Sequence, residues 1–332
     1  MKVLFVGGTG IISSACSRLA VERGIDLYLL NRGQTSSRPV PEGVKVLQGD
    51  IRDPRSAAEA LGESTFDAVV NWIAFTPEHI EADLKLFRGR TGQYVFISSA
   101  SAYQTPPARL PVVESTPLVN PFWPYSQQKI ACEERLVRAY REEGFPITIV
   151  RPSHTYDETL LPMDGGYTVV HRMRQGKPVI VHGDGTSLWT LTHHRDFAKG
   201  FVGLLGHPQV IGDSFHITSD EWLTWNQIFE LVARAAGVRA DLVHVPSEVV
   251  ARFDPAWGEG LLGDKAHSLI FDNTKIKGVV PEFKATIPFA RGAEEIMAWF
   301  DADPARQVVD EALDQTMDKM IEQYAPARPS AS

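Results

Sequence analysis

The stretch VGGTGIIS, residues 6–13, lies between an apolar run, KVLFVG, and a segment of helical periodicity. Gly7 permits a tight turn there, and Gly10 lets the backbone approach a pyrophosphate at the positive end of the following helix. Ser13 stands where the usual pattern has a third glycine and is small enough for close helix packing. A glycine-rich turn between a strand and a helix predicts a dinucleotide site, with a turn that binds nothing as the alternative. The residues predicted to contact the dinucleotide in this turn are Gly7, Thr9, Gly10, Ile11 and Ile12.

Short apolar runs alternate with helical segments through the first half of the chain. The predicted strands cover residues 2–7, 26–31, 45–50, 67–74, 93–99 and 147–152. Most have continuous apolar cores, which is typical of parallel strands covered by helices on both faces. The alternation therefore predicts an α/β fold with a doubly wound, Rossmann-type parallel sheet and a smaller C-terminal substrate lobe.

The second half of the chain alternates less regularly and is rich in loop-forming residues. We predict a dinucleotide-binding domain over residues 1–153, with 192–219 returning to the sheet. Residues 154–191 and 220–325 form the predicted substrate-binding lobe. We expect this lobe above the carboxyl edge of the sheet, where ligands bind in such folds.

Composition restricts the partners of the chain. Its 332 residues are 43% hydrophobic and 22% charged, as in soluble globular proteins. The formal net charge of -8 argues against a nucleic-acid partner, because such proteins present a basic face. No apolar run approaches the roughly 20 residues that span a bilayer, so no membrane contact is predicted. Cys16 and Cys132 have no ligand-like neighbours, which indicates neither a disulfide framework nor a zinc site and favours a reducing, cytoplasmic compartment.

Asn31 and Arg32 end the second predicted strand, about 20 residues after Gly10. NAD-binding proteins carry an acid here that holds the ribose hydroxyls, whereas a guanidinium pairs with a 2′-phosphate. Ser36 and Ser37 follow closely. The pattern favours NADP over NAD as the cofactor, with a solvated loop arginine as the alternative.

The segment GDIRD follows the third predicted strand. We expect Asp50 to accept a hydrogen bond from the adenine amino group and Ile51 to pack on the adenine ring. Asp53, which precedes Pro54, fits the cap of a helix instead. After the fourth strand, Ala74 is small where the backbone should pass close to the cofactor.

The fifth predicted strand leads into SSASAYQTP, so Ser98, Ser99 and Ser101 cluster at the carboxyl edge of the sheet. Further along, YSQQK places Tyr125 and Lys129 four residues apart, on one face of a helix. Alone, this spacing is also that of an ordinary surface pair.

Five motifs occur together in a characteristic order: GGTGIIS, GDIRD, FISSASAY, YSQQK and VRPS. From Met1 to about Ser219 the chain resembles the extended short-chain dehydrogenase/reductase superfamily, on the branch of NAD-dependent sugar-nucleotide epimerases and dehydratases. The resemblance implies an NAD(P)-dependent oxidoreductase or epimerase that acts on a small molecule by hydride transfer. It also implies a homodimer, formed through helices near residues 77–90 and 124–143.

The resemblance also implies three catalytic roles. Tyr125 is the acid/base at the substrate oxygen, and Lys129 holds the nicotinamide ribose and lowers the pKa of the phenol. Ser99 donates a hydrogen bond to the reacting oxygen, with Ser98 as the rival for this role. Tyr125 and Lys129 thereby also count among the predicted cofactor contacts.

Departures from the family pattern limit the substrate. Ala100 and Ser101 stand where dehydratases of this family carry an Asp-Glu pair, which disfavours elimination of water. Trp189 replaces the arginine that clamps a diphosphate, and an indole offers one donor and no charge. His154 and Asp157 replace an Asn and a Gly of the family motif. The predicted substrate contacts are Ser101, His154, Tyr156 and Trp189.

The sequence leaves two alternatives to a sugar-like or small polar substrate at a Ser-Tyr-Lys site. One is a nucleotide-sugar epimerase with an altered diphosphate clamp. The other, outside enzymology, is a cofactor-binding or RNA-associated scaffold. No metal is predicted, because nothing completes a ligand set around His193 and His194.

Overall fold

The computed structural model describes residues 1–33 and 38–324. The predictions that concern Ser36, Ser37 and the lobe boundary at residue 325 lie outside the described residues. The strands are β1 (Lys2–Val6), β2 (Asp26–Asn31), β3 (Lys45–Gln48), β4 (Ala68–Asn71), β5 (Tyr94–Ile97), β6 (Ile147–Pro152), β7 (His154–Tyr156), β8 (Val179–His182), β9 (Leu188–Trp189), β10 (Leu191–His193), β11 (Asp213–Ile217), β12 (Leu223–Thr224) and β13 (Leu242–Val245). The α-helices are α1 (Ile11–Glu22), α2 (Pro54–Leu61), α3 (Pro77–Phe87), α4 (Pro124–Glu143), α5 (Tyr167–Arg174), α6 (His194–Leu204), α7 (Trp225–Ala235), α8 (Ser247–Phe253), α9 (Pro255–Gly260), α10 (Thr274–Val279), α11 (Phe289–Asp301) and α12 (Glu311–Tyr324).

Seven strands form one parallel sheet in the order β11-β6-β5-β4-β1-β2-β3. In the register, Val3 on β1 lies opposite Leu27 on β2 and Ala68 on β4. The strand order reverses between β1 and β4, and such a switch point opens a crevice at the carboxyl ends of the strands. The sheet confirms the predicted Rossmann-type α/β fold.

The central strands β1, β4, β5 and β6 are buried on both faces, which explains their continuous apolar runs, whereas the edge strand β3 is largely exposed. On one face, α1 and α6 cover the strands, and Ile276, Val280 and Phe283 join this cluster. On the other face, α2, α3 and α4 contribute Leu61, Leu84 and Leu136. Helices thereby cover both faces of the sheet.

A third apolar cluster is formed by elements of the second half, including α5, α7 and α11. Trp225 and Ile228 of α7 and Phe289 and Ile296 of α11 are buried in it. Three two-stranded pairings, β10-β7, β12-β9 and β13-β8, frame this cluster. Among the helices of residues 1–33 and 38–324, none combines the length and apolar character needed to cross a bilayer.

Local sequence explains where the site-bearing elements begin. Asp53 accepts hydrogen bonds from the backbone N–H groups of Arg55 and Ser56, and therefore caps α2. Pro124 lies in the first turn of α4, and Gly144 ends this helix with φ of 66°. The twenty residues of α4 thus start immediately before Tyr125 and carry Lys129 one turn further.

Candidate active site

A groove of about 330 Å³ lies above the carboxyl ends of β1 and β2. It brings together nine residues that the sequence predicts as cofactor contacts: Gly7, Thr9, Gly10, Ile11, Ile12, Asn31, Arg32, Asp50 and Ile51. Gly7 and Gly8 have φ of 96° and 110°, values that favour glycine. A Cβ atom on Gly8 would lie 2.5 Å from Leu29 Cδ2. The tight turn and the N-terminus of α1 therefore fit a dinucleotide pyrophosphate.

The far end of the groove contains the residues predicted to select the cofactor. Asn31 Oδ1 accepts a hydrogen bond from Gly33 N at 3.0 Å. Asp50 Oδ1 accepts one from Arg52 N at 2.9 Å. Arg32 lines the groove, and its side chain makes no hydrogen bond or ion pair with another of the described residues.

Lys129 is buried beneath the start of α4, 2% exposed. Its Nζ donates hydrogen bonds to the carbonyl oxygens of Ala74 at 2.7 Å and Ile97 at 2.8 Å. The ammonium lies 5.8 Å from the centre of the Tyr125 ring. Burial lowers the pKa of Lys129 to about 8. Ala74 is not part of the groove lining; its backbone carbonyl positions Lys129 instead.

The serines form a chain of hydrogen bonds at the end of β5. Ser99 Oγ lies 2.8 Å from Ser101 Oγ, which accepts a hydrogen bond from Ser126 Oγ at 2.7 Å. The Ser99 hydroxyl is also close enough to the Tyr125 side chain to lower the pKa of the phenol. Ser98 is buried, and its Oγ has no hydrogen-bond partner among the described residues. Of the two rivals, Ser99 is the one beside Tyr125.

The pKa of Tyr125 differs from the expectation that Lys129 lowers it. Burial raises this pKa to about 12; the nearby Ser99 hydroxyl lowers the pKa and the charge of Asp264 raises it. The expected lowering by Lys129 is not seen, because the ammonium is directed at two carbonyl oxygens rather than at the phenol.

Ser99 and Tyr125 line a second cleft, of about 310 Å³, beyond the carboxyl end of β5. Three predicted substrate residues, Ser101, His154 and Trp189, line it. The Trp189 indole N–H donates a hydrogen bond to His154 Nδ1 at 3.2 Å. The side-chain ring of His154 is kept neutral, because burial lowers its pKa to about 3 and the charge of Lys265 acts in the same direction.

Tyr156, the fourth predicted substrate residue, does not line the cleft. It is fully buried, with its ring 5.2 Å from that of His193 and 5.3 Å from that of Phe289. It lies two residues beyond His154 on β7, and that step displaces a side chain by about 7 Å along a strand. The structure therefore places Tyr156 in the core of the lobe rather than at a substrate.

Sequence reasoning missed Asp264 and Lys265, which also line the cleft. They lie on a five-residue π-helical turn, Leu261–Lys265, directly after α9. The usable signal was an adjacent pair of opposite charges inside the glycine-rich segment WGEGLLGDK. This segment belongs to the predicted substrate-binding lobe, residues 220–325, and no role is predicted for it.

His193 and His194 each lie close to a polar group elsewhere in the chain. His193 Nε2 lies 3.2 Å from Glu295 Oε2, and His194 Nδ1 lies 3.3 Å from the carbonyl oxygen of Ile11. Within the described part of the chain, no group of three or more potential ligands is arranged to hold a metal ion.

Two curated proteins illustrate what the chain is similar to. A UDP-glucose 4-epimerase of Lactobacillus helveticus is 33% identical over 168 residues, 46% of this chain and 51% of that protein. The chloroplast stem-loop binding protein of 41 kDa b of Arabidopsis thaliana is 26% identical over 258 residues, 73% of this chain and 65% of that protein. The matches thus span about half to two thirds of these relatives.

Among solved structures, a UDP-glucose 4-epimerase from Bifidobacterium longum in complex with NAD+ and UDP superposes with a TM-score of 0.71. It is 21% identical, and the match covers 92% of this chain and 99% of that one, which supports the fold. The model of the NAD dependent epimerase/dehydratase family matches residues 3–217. The chain belongs to the NAD dependent epimerase/dehydratase family.

Proposed function

We propose that the chain is an NAD(P)-dependent oxidoreductase or epimerase of the extended short-chain dehydrogenase/reductase type. It acts at a secondary alcohol or ketone of a sugar-like or small polar substrate. One observation carries the proposal: Ser99 and Tyr125 line the same cleft, with Lys129 beneath the tyrosine ring. Ile97 lines the dinucleotide groove, and Ser99, two residues later, lines the cleft, so the two sites adjoin.

Each residue of the site has its own role in the proposed reaction. Gly7, Gly10 and the N-terminus of α1 hold the pyrophosphate, and Lys129 holds the nicotinamide ribose. Ser99 donates a hydrogen bond to the substrate oxygen, while Tyr125 gives or takes its proton. When bound, NAD(P) supplies or accepts the hydride at the substrate carbon. Arg32 favours NADP, since it lines the groove and a guanidinium pairs with a 2′-phosphate.

Replacing Tyr125 tests the assignment. Nicotinamide fluorescence measures dinucleotide binding, and absorbance of the reduced cofactor follows turnover on a panel of sugars, polyols and ketones. We expect Tyr125→Phe to abolish turnover and to leave dinucleotide binding within about twofold, because the phenol is needed for the proton and not for the pyrophosphate. Turnover that survives the substitution contradicts the assignment.

A nucleotide-sugar epimerase is the second candidate. The similarity to the epimerase of Lactobacillus helveticus favours it. Trp189 disfavours it, because the single indole donor is already bonded to His154. Product analysis after incubation with UDP-glucose and UDP-galactose distinguishes the two candidates.

A non-enzymatic, RNA-associated scaffold is the third candidate, favoured by the similarity to the Arabidopsis stem-loop binding protein. The net charge of -8 opposes RNA binding. A gel-shift titration with a structured RNA at physiological salt tests it. We also infer a homodimer through α3 and α4, which sedimentation velocity tests.

A further inference from the structure

Asp264 lines the same cleft as Tyr125 but belongs to a different structural element. It is carried by the π-helical turn Leu261–Lys265, and both residues line the same space. Its charge is close enough to act on the phenol and raise the pKa of Tyr125. Such single π-turns are rare and are frequently found at functional sites.

The turn is held against the start of α4. Asn120 Nδ2 donates hydrogen bonds to the carbonyl oxygens of Ser101 at 2.9 Å and Gly263 at 2.7 Å. A Cβ atom on Gly263 would lie 2.6 Å from Trp123 Cβ, so the backbone packs directly on that side chain. Asn120 and Trp123 therefore fix Asp264 relative to both the serines and the catalytic helix.

Among the described residues, none donates a hydrogen bond to the Asp264 carboxylate. Burial raises its pKa to about 7, with the charge of Lys265 lowering it and that of Asp164 raising it. A carboxylate that faces a cleft without donors from its own chain is an acceptor for a ligand.

The charges around the cleft do not suit a diphosphate. Among the described lining residues, Lys265 is the one side chain with a full positive charge, and its Nζ lies 3.7 Å from Asp164 Oδ1. Asp164 and Asp264 together outweigh that ammonium. A diphosphate would therefore meet net negative charge, whereas a hydroxyl or an ammonium group finds an acceptor.

His154 supplies the complementary donor. An indole N–H can only donate, so His154 Nδ1 accepts the bond from Trp189, and the neutral ring carries its proton on Nε2. The cleft thus offers one N–H donor, one carboxylate acceptor and the apolar side of Trp189. This set matches a ring with several hydroxyl groups.

We propose that Asp264 is a specificity-determining residue that binds a hydroxyl or ammonium group of an unphosphorylated polyol ring, such as a free sugar or amino sugar. The proposal rests on the function proposed above for the same cleft and names its substrate class. Asp264 selects the substrate, and Tyr125 and Ser99 act on its reacting oxygen.

The test uses the full chain with NADP at pH 8, with glucose, glucosamine, galactose, galactosamine and UDP-glucose as probes. Binding is read from tryptophan fluorescence, since Trp189 lines the cleft. We expect at least one free sugar or amino sugar to bind more tightly than UDP-glucose. Asp264→Asn should then weaken that probe about tenfold or more, with KM affected more than kcat. The exposed Asp184→Asn is the matched control and should leave binding unchanged.

A second variant covers the case in which Asp264→Asn fails to fold. Lys265→Met removes the positive charge of the cleft and should raise the affinity ratio of glucosamine to glucose about threefold or more. Asp264→Asn should lower the same ratio. An unchanged ratio in Lys265→Met, tighter binding of UDP-glucose than of every free sugar, or no binding by any free sugar overturns the proposal.

The result also separates this proposal from the proposed function. Sugar binding that depends on Asp264, with neither cofactor reduction nor an epimerised product, supports the recognition role and contradicts the proposed function. Turnover that depends on Tyr125 but not on Asp264 supports the redox function and overturns the recognition role.

Discussion

The indole N–H of Trp189 lies 3.2 Å from Nδ1 of His154, and the two rings cross at 89°. This contact joins β9 to β7 across the cleft and fixes which imidazole nitrogen accepts. Burial, with the charge of Lys265, lowers the pKa of His154 to about 3. The ring is therefore a constant N–H donor over the physiological pH range.

That contact predicts a pH dependence of stability. An unfolded histidine titrates near 6.5, so below this pH the unfolded chain is protonated at residue 154. Folded His154 stays neutral until about pH 3. The stability that the neutral ring contributes is full above pH 6.5 and is lost as the pH falls toward 3. We expect His154→Gln to reduce the pH slope of the free energy of unfolding between pH 6 and 4 by up to about 1.4 kcal/mol per pH unit.

Urea denaturation at pH 7.5, 6, 5 and 4 measures the slope. His244→Gln, at an exposed position, is the control and should keep the wild-type slope. His182 and His193 are also held neutral by burial, each with its pKa lowered to about 4, so part of the wild-type slope should persist in His154→Gln. Equal slopes in the wild type and His154→Gln refute the prediction.

The two adjacent serines should differ in their effect on turnover. Ser99 and Tyr125 line the same cleft, whereas Ser98 Oγ is buried and Ser98 is not among the residues that line it. We expect Ser99→Ala to lower kcat about 100-fold or more, the usual effect of removing one donor to a reacting oxygen. Ser98→Ala should change kcat less than about threefold. A larger loss in Ser98→Ala would transfer the role to that residue.

Arg32 should select between the two dinucleotides. It lines the groove, and a carboxylate in its place would repel a 2′-phosphate. We expect Arg32→Asp to weaken NADP at least tenfold and NAD less than threefold, measured by nicotinamide fluorescence. Arg38 donates to Asp157 Oδ2 at 2.8 Å and offers a matched control, so Arg38→Ala should leave the NADP/NAD ratio unchanged. Equal weakening of both dinucleotides by Arg32→Asp would remove the NADP preference.

A buried ion pair joins the catalytic helix to the sheet. Arg151 on β6 donates to both carboxylate oxygens of Glu133 on α4, at 2.9 and 2.6 Å, and the two side chains are 6% and 3% exposed. Breaking such a pair leaves a charge without a partner and typically costs about 3–5 kcal/mol. We expect Glu133→Gln to destabilise the fold by that amount in urea denaturation.

The exposed pair of Arg88 and Glu143 provides the comparison, since Arg88→Gln should cost less than about 1 kcal/mol. Similar effects of Glu133→Gln and Arg88→Gln would show that burial does not strengthen the pair.

Much of the fold follows from local sequence. The apolar runs, the glycine-rich turn and the Asp53 cap act over a few residues, and each lies where the sequence predicts it. Nine of the predicted cofactor contacts line one groove for the same reason, because strand ends and turns in a parallel sheet converge at one edge.

The composition of the substrate cleft was decided by tertiary packing. Asp264 and Tyr125 are about 140 residues apart in the chain, and the contacts of Asn120 and Trp123 with the π-helical turn help to bring them together. The burial of Tyr156 and the raised pKa of Tyr125 likewise depend on neighbours from distant elements. By itself the sequence determined the sheet and the dinucleotide turn, since periodicity and turn chemistry are local. Which residues line the substrate cleft depends on long-range packing, and their pKa values depend on burial. Both exist only in the folded chain.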